Sequence, residues 1–228
     1  MFYTADDIQN LKLDTHKPLI ISDADEVIVH FAAPFKEYIK QRNLYVDFKS
    51  YALWGNVRHQ HNNEPIDRQQ IKPLVDDFLD HITDQQPLVE GAVANLCQLA
   101  QTAQVLILTN INTHQAQKRK KHLHNNGLEF PLISNSGPKG PIVNYLQSQI
   151  KEPVIFIDDI DKHITSVAQY VPHSLRLHFI ASAELSQIEK QAAHSHIRCQ
   201  NWDEIHNAIE QYWQGQHPPS PPATLIKN

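Results

Sequence analysis

Five short apolar runs, at 18–23, 104–109, 130–134, 154–158 and 174–180, are each bounded by polar residues. Runs of Val, Ile and Leu this short predict strands buried on both faces of a parallel sheet. The segments between them repeat their apolar positions with helical periodicity. Strand and helix therefore alternate, which predicts an α/β fold: a Rossmann-like parallel sheet with helices on both faces. Sheets of this kind bind ligands at the carboxyl ends of their strands, and three of the runs stop there on residues capable of chemistry. The first reads Leu19-Ile20-Ile21-Ser22-Asp23-Ala24-Asp25, the second ends on Thr109 and Asn110, and the fourth on Asp158 and Asp159.

The connection between the first two strands is far longer than one crossover helix needs. It predicts a small all-α cap over 31–86, with helices at 33–42, 48–55 and 66–83 and a loop at 56–65, inserted into a core of 1–30 and 87–213. Two helices, 183–193 and 202–213, are predicted to close the core. The proline-rich end, 214–228, contains Pro218-Pro219-Ser220-Pro221-Pro222 and is predicted to be an extended tail without helix or central strand.

Composition narrows the function classes. With 228 residues, 41% of them hydrophobic and 20% charged, the chain can bury a sizeable core. A net charge of −5 gives no overall electrostatic reason to bind nucleic acid or an anionic membrane. Cys97 and Cys199 show neither metal-ligand nor disulfide spacing and are expected to be buried free thiols in helix-like contexts. The first residues lack the basic region and apolar core of a signal peptide, and no apolar run approaches a membrane span, which together predict a cytoplasmic protein. The six glycines form neither a dinucleotide-binding nor a P-loop fingerprint. Phosphate binding would need another device.

Asp23 directly follows an apolar run. A carboxylate buried there without a partner costs roughly several kcal/mol, so it demands one. Asp158-Asp159 and Lys139 taken singly fit a helix N-terminus and a solvated helix-start lysine. In their order along the chain, however, Asp23-x-Asp25, Leu108-Thr109-Asn110, Lys139 and Phe156-Ile157-Asp158-Asp159 resemble the haloacid dehalogenase superfamily of phosphatases and phosphotransferases. The resemblance extends to the helix start at Glu90-Gly91-Ala92 and to the cap-like insertion after the first strand.

The resemblance implies catalytic roles. Asp23 would attack phosphorus to form an aspartyl-phosphate, and Asp25 would protonate the leaving group and later activate water, its acidity weakened by burial or a neighbouring carboxylate. Thr109, the Asn110 backbone N–H and Lys139 would hold the phosphoryl oxygens. Mg²⁺ would be bound by the Asp23 carboxylate, the Asp25 carbonyl and Asp158, with Asp159 ligating directly or through water. The expected partner is a small phosphorylated substrate. Retention of Asp25 argues against the dehalogenase and phosphonatase branches. One departure is Glu26-Val27 in place of the usual Gly-Thr or Gly-Val, so that Glu26 either stiffens the turn or adds a carboxylate near the entrance. A phosphotransferase or mutase, or a catalytically weak ligand- or partner-binding relative, are the alternative readings.

Trp54, Arg58 and His59 lie in the insertion and are candidates for reading the substrate. His122, His124, His194 and His196 are spaced to fall on different helix faces, as surface histidines do. Lys118-Arg119-Lys120-Lys121 is expected to form a solvated basic face.

Overall fold

Leu19-Ile20-Ile21-Ser22 is buried along its whole length, as a strand flanked on both edges and covered on both faces must be. A computed structural model describes residues 2–222. In chain order its elements are β1 (Phe2–Thr4), a 3₁₀ helix (Ala5–Asn10), β2 (Leu19–Ser22), α1 (Ala32–Lys40), β3 (Leu44–Val46), β4 (Val57–His59), α2 (Arg68–Ile82), α3 (Ala92–Leu99), β5 (Gln104–Thr109), α4 (Thr113–Asn125), β6 (Leu132–Ser134), α5 (Gly140–Gln147), β7 (Val154–Asp158), α6 (Asp161–Tyr170), β8 (Leu175–Phe179), α7 (Ala183–Ile188), β9 (Ile197–Cys199) and α8 (Trp202–Trp213).

Seven of these strands form one sheet in the order β1-β6-β5-β2-β7-β8-β9, with every pair parallel. Alternate residues divide between two cores. Ile20, Ile107, Ile155 and Leu177 pack with α3 and α8 on one face, while Leu19, Ile21, Leu108 and Phe156 pack with α5 and α6 on the other. The chain passes from β2 to β5 on one side and later to β7 on the other. That topological switch point places the carboxyl ends of β5, β2 and β7 side by side.

The five expected strands form, and two short edge strands, β1 and β9, add to them. The insertion between β2 and α3 departs from the all-helical expectation. Its helices α1 and α2 pack through Phe31, Phe35, Tyr38 and Phe78, with ring centroids 5.1–5.4 Å apart. Between them β3 and β4 pair antiparallel, Val46 opposite Val57. No helix forms over 48–55. The buried Asn56 amide donates to the carbonyls of Ser50 (3.0 Å) and Ala52 (2.6 Å), taking those groups out of any helical ladder, and Gly55 turns with φ +83°.

The helix expected over 183–193 ends at Ile188, because the Arg198 guanidinium caps it by donating to the Ser186 carbonyl (2.7 Å) and to the Glu189 carbonyl. Cys199 is buried but on β9, and Cys97 is exposed on α3, against the expectation of two buried helical thiols. Beyond α8, residues 216–222 form neither helix nor strand, and the remainder of the expected tail, 223–228, lies outside the described residues. Among the described residues no helix is long and apolar enough to cross a membrane.

Candidate functional site

The Asp23 backbone N–H continues the β2 ladder, donating to the Ile157 carbonyl at 2.9 Å. Its side chain therefore emerges from the sheet edge beside the end of β7. There the Lys139 ammonium donates to Asp23 Oδ1 at 2.6 Å and to Asp158 Oδ2 at 2.7 Å. Lys139 is 1% exposed, which excludes the solvated-lysine reading. It reaches the site because Gly140 lets α5 close on α6: a Cβ at position 140 would lie 2.4 Å from the Ser166 carbonyl oxygen.

Charge does not balance in this cluster. Asp23, Asp158 and Asp159 present carboxylate oxygens within 4.8 Å of one another, and the one ammonium among them pairs with two, Asp23 and Asp158. Burial pushes the Asp23 carboxyl up to about 6 against the pull of Lys139, and Asp158 and Asp25 add to the rise. Burial likewise raises Asp158, and raises Asp159 well above the ordinary range with repulsion from Asp23 and Asp158. Burial opposes the charge on Lys139, but Asp158 and Asp23 overcome it and hold the ammonium protonated. Among the described residues two fully buried side-chain oxygens have no hydrogen-bond partner, Asp159 Oδ1 and the Thr109 hydroxyl. Hard carboxylate donors, two unbalanced negative charges and an orphaned carboxylate oxygen fit a small divalent cation.

The rest of the site splits the expectations. Thr109 and Asn110 lie at the end of β5 as expected, lining a cavity of about 260 Å³ together with Asp23, Asp25, Lys139 and Asp159. The Asn110 side chain is engaged elsewhere, donating to the Gly137 carbonyl (2.9 Å) and accepting from Asn135 (2.9 Å). Trp54 lines an adjoining groove, 5.3 Å from the Arg68 guanidinium. Arg58 and His59 line neither: they lie on β4, where Arg58 donates to the Asn63 carbonyl at 2.8 Å. The β3–β4 ribbon carries them away from the cavity.

Asp25 has unexpected company. Its Oδ1 accepts from the Arg119 guanidinium at 2.9 Å and from the Gln86 amide at 3.1 Å, so donors hold it, while Asp23 is near enough to feel its charge. Arg119 also donates to Gln86 Oε1 at 2.5 Å and is 0% exposed. The basic run 118–121 is thus not uniformly solvated. Arg119 falls in the buried stripe of α4 with Ala116 and Leu123, and that three-and-four spacing is the sequence signal that gives it away. His122 is half-buried, with Nε2 2.8 Å from the Gln86 carbonyl. His196 accepts the Arg176 backbone N–H at 3.0 Å.

Glu26 occupies the left-handed region with φ +58°, where glycine is usual. The carboxylate secures that turn: Oε1 accepts the N–H groups of Phe31 (2.8 Å) and Ala32 (2.6 Å) at the start of α1, and Oε2 that of Ser182 (2.6 Å) before α7. Of the two options for Glu26, stiffening the turn is the one its contacts serve. Two further residues escaped sequence reasoning. Tyr51, from the loop that was expected to be helical, donates its hydroxyl to Asp159 Oδ2. His163, on the cavity wall, is driven down to about 4 by burial and by the nearby Lys139 charge. His178 supports Asp159 from behind: its Nδ1 accepts the Ala192 N–H (3.0 Å), which leaves Nε2–H to donate to the Asp159 carbonyl (3.0 Å).

No family model matches this sequence, and no curated protein matches it either. Solved structures do. A Bacillus subtilis protein, YfnB, described as a haloacid dehalogenase-type hydrolase and bound to magnesium, shares 14% identity at a TM-score of 0.58, covering 85% of this chain and 99% of its own. A haloacid dehalogenase family hydrolase from Deinococcus radiodurans R1, with bound phosphate and sodium, shares 15% identity at 0.57, over 91% and 100% of the two chains. A phosphonoacetaldehyde hydrolase-like protein from Oleispira antarctica shares 14% identity at 0.58, over 92% and 99%. The fold is that of the haloacid dehalogenase-like hydrolases.

Proposed function

We propose that this protein is a cytoplasmic, Mg²⁺-dependent phosphatase of the haloacid dehalogenase superfamily, hydrolysing a small phosphorylated substrate through an aspartyl-phosphate, with 31–86 acting as a cap over the core. The observation that carries this reading is the buried Lys139 ammonium between Asp23 and Asp158, set beside the unpartnered oxygens of Asp159 and Thr109. Like folds bound to magnesium and to phosphate support it. Two free thiols accord with a reducing compartment.

Asp23, Asp158 and Asp159 would hold the metal with the Asp25 carbonyl, and a bound Mg²⁺ would supply positive charge to the phosphoryl oxygens. The Asp23 carboxylate forms a bond to phosphorus as the bond to the leaving oxygen breaks, and Asp25 gives that oxygen its proton. Asp25 then takes a proton from the water that attacks phosphorus, regenerating Asp23 and releasing inorganic phosphate. Lys139 offsets charge on Asp23 and on the transferring group, and the free Thr109 hydroxyl is available to donate to a phosphoryl oxygen.

One observation favours a second reading, a catalytically weak relative that uses the pocket to bind. Arg119 and Gln86 already occupy one oxygen of Asp25, leaving only Oδ2 for the leaving group. Phosphate release from a panel of phosphomonoesters, with Mg²⁺ and with EDTA, separates the two. Metal-dependent release supports the phosphatase; Mg²⁺ binding with no release from any ester supports the binder.

A further inference from the structure

We infer that the substrate's alcohol is small and apolar, a short branched aliphatic or aromatic group, and not a sugar, a nucleoside or a second phosphate. This deepens the phosphatase reading and rests on it. The cavity above Asp23 is about 260 Å³, small for a ligand site. Its walls are Phe31, Phe48, Leu53, Val75, Leu79 and Leu185, joined by two isoleucines.

The polar groups that line it are already engaged, apart from those on the floor. Glu26 spends both carboxylate oxygens on three backbone N–H groups. The Tyr51 hydroxyl is given to Asp159, and the Asn110 amide to Gly137 and Asn135. Lys139 sits between two carboxylates. Among the described residues, the fully buried unpartnered atoms at the site are the Thr109 hydroxyl, Asp159 Oδ1 and His163 Nδ1. Thr109 and Asp159 flank the position of the phosphoryl group, and His163 lies near enough to Lys139 and Asp23 to feel both charges. Apart from the His163 imidazole, no free cation, hydroxyl or amide is left on the walls among the described residues to recognise a sugar hydroxyl, a base edge or a second anion, and a polar substituent buried against the rest of them would lose its water without replacement. A second, more open groove shares Val75, Leu79, Asn110 and Ile111 with the cavity and carries Arg68 and Lys72. A substrate with a second anionic group would be read in that groove, so the test must include one.

With the full chain and Mg²⁺, kcat/KM for phosphate release is to be measured for isobutyl and benzyl phosphate against glycerol phosphate, a hexose phosphate, a nucleoside monophosphate and a sugar bisphosphate. Binding of isobutylphosphonate and benzylphosphonate, against a polyhydroxylated alkylphosphonate of similar size, is followed in parallel by calorimetry. The apolar compounds should lead by about tenfold or more in both, the scale on which apolar pockets discriminate. Preference for any polar ester, the bisphosphate included, overturns the substrate class and leaves the phosphatase intact. Tighter binding of the apolar phosphonates without any phosphate release supports the class and removes the hydrolysis. Release from no ester together with equal or undetectable phosphonate binding overturns both.

Discussion

The floor and the roof of the cavity are built on opposite principles. The floor comes from the ends of three central strands and from Lys139, and it concentrates four charged side chains in a buried volume. The roof comes mainly from 31–86, is almost wholly apolar, and meets the site's carboxylates through the Tyr51 hydroxyl on Asp159 and, at its far end, the Gln86 amide on Asp25. Charge placed on rigid strand ends, away from water, acts strongly on a reacting phosphoryl group. An apolar roof keeps water out and selects by shape. Glu26 lies where the two meet, its carboxylate tying the exit of β2 to the start of α1 and to the segment before α7.

If the floor's excess of carboxylates leans on Lys139, removing that cation should do the most damage. Lys139→Met leaves Asp23 and Asp158 buried without their cation, and chemical denaturation should show a loss of about 3–5 kcal/mol, the range for breaking a buried ion pair. A loss no greater than that of a roof truncation such as Leu53→Ala would contradict the contrast. At the junction, Glu26→Gln should cost about 1–3 kcal/mol through lost charge-assisted hydrogen bonds. Glu26→Gly relieves the positive φ but removes every side-chain bond, so it too should be less stable than wild type in the same denaturation series.

The floor should also couple cation binding to pH. In the metal-free protein Asp23 titrates near 6 where an unfolded chain titrates near 3.8. The native state therefore keeps a proton through that window which the unfolded state has released, and this contribution to stability falls as pH rises from about 4 to about 6. His178 and His196, both driven down to about 4 by burial, act with the opposite sign, since the unfolded chain takes up protons below about 6.5 that the native state refuses. The histidine contribution is common to curves taken with Mg²⁺ and with EDTA, so their difference isolates the floor. Mg²⁺ should raise Tm more at pH 7 than at pH 5, because at pH 5 it must displace protons; an equal rise at both would break the charge argument. The smallest effect is expected at the contact between roof and floor. Tyr51→Phe should alter Mg²⁺ affinity only a few-fold and leave overall stability within about 1 kcal/mol, as read by metal titration and denaturation.

The floor was legible in the sequence because a strand buried on both faces leaves a short apolar run with a sharp polar end. Ile21-Ser22-Asp23 and Ile157-Asp158-Asp159 mark the sheet edge without reference to anything distant in the chain. The roof was not legible. Its loop over 48–55 is shaped by the Asn56 amide, whose bonds to carbonyls four and six residues back compete with the helical ladder that the spacing suggests. β1 and β9, each three residues long, are too short to carry a period. Arg119 was hidden inside a basic run whose composition suggests solvent, although its spacing from Ala116 and Leu123 marks it as buried. Glu26 could be recognised as a departure from glycine, but the three N–H groups that hold it come from segments up to 156 residues away.

The most direct test of the account is to trap the covalent intermediate. Wild-type protein and Asp23→Asn are mixed with Mg²⁺ and a turned-over phosphomonoester, quenched in acid within milliseconds, and digested for mass spectrometry. The account expects one added phosphoryl group on the peptide containing Asp23 in the wild type and none in the variant, whose phosphate release should fall by at least about 10³-fold. Undiminished release by Asp23→Asn, or a phosphoryl group carried on another residue, would contradict it.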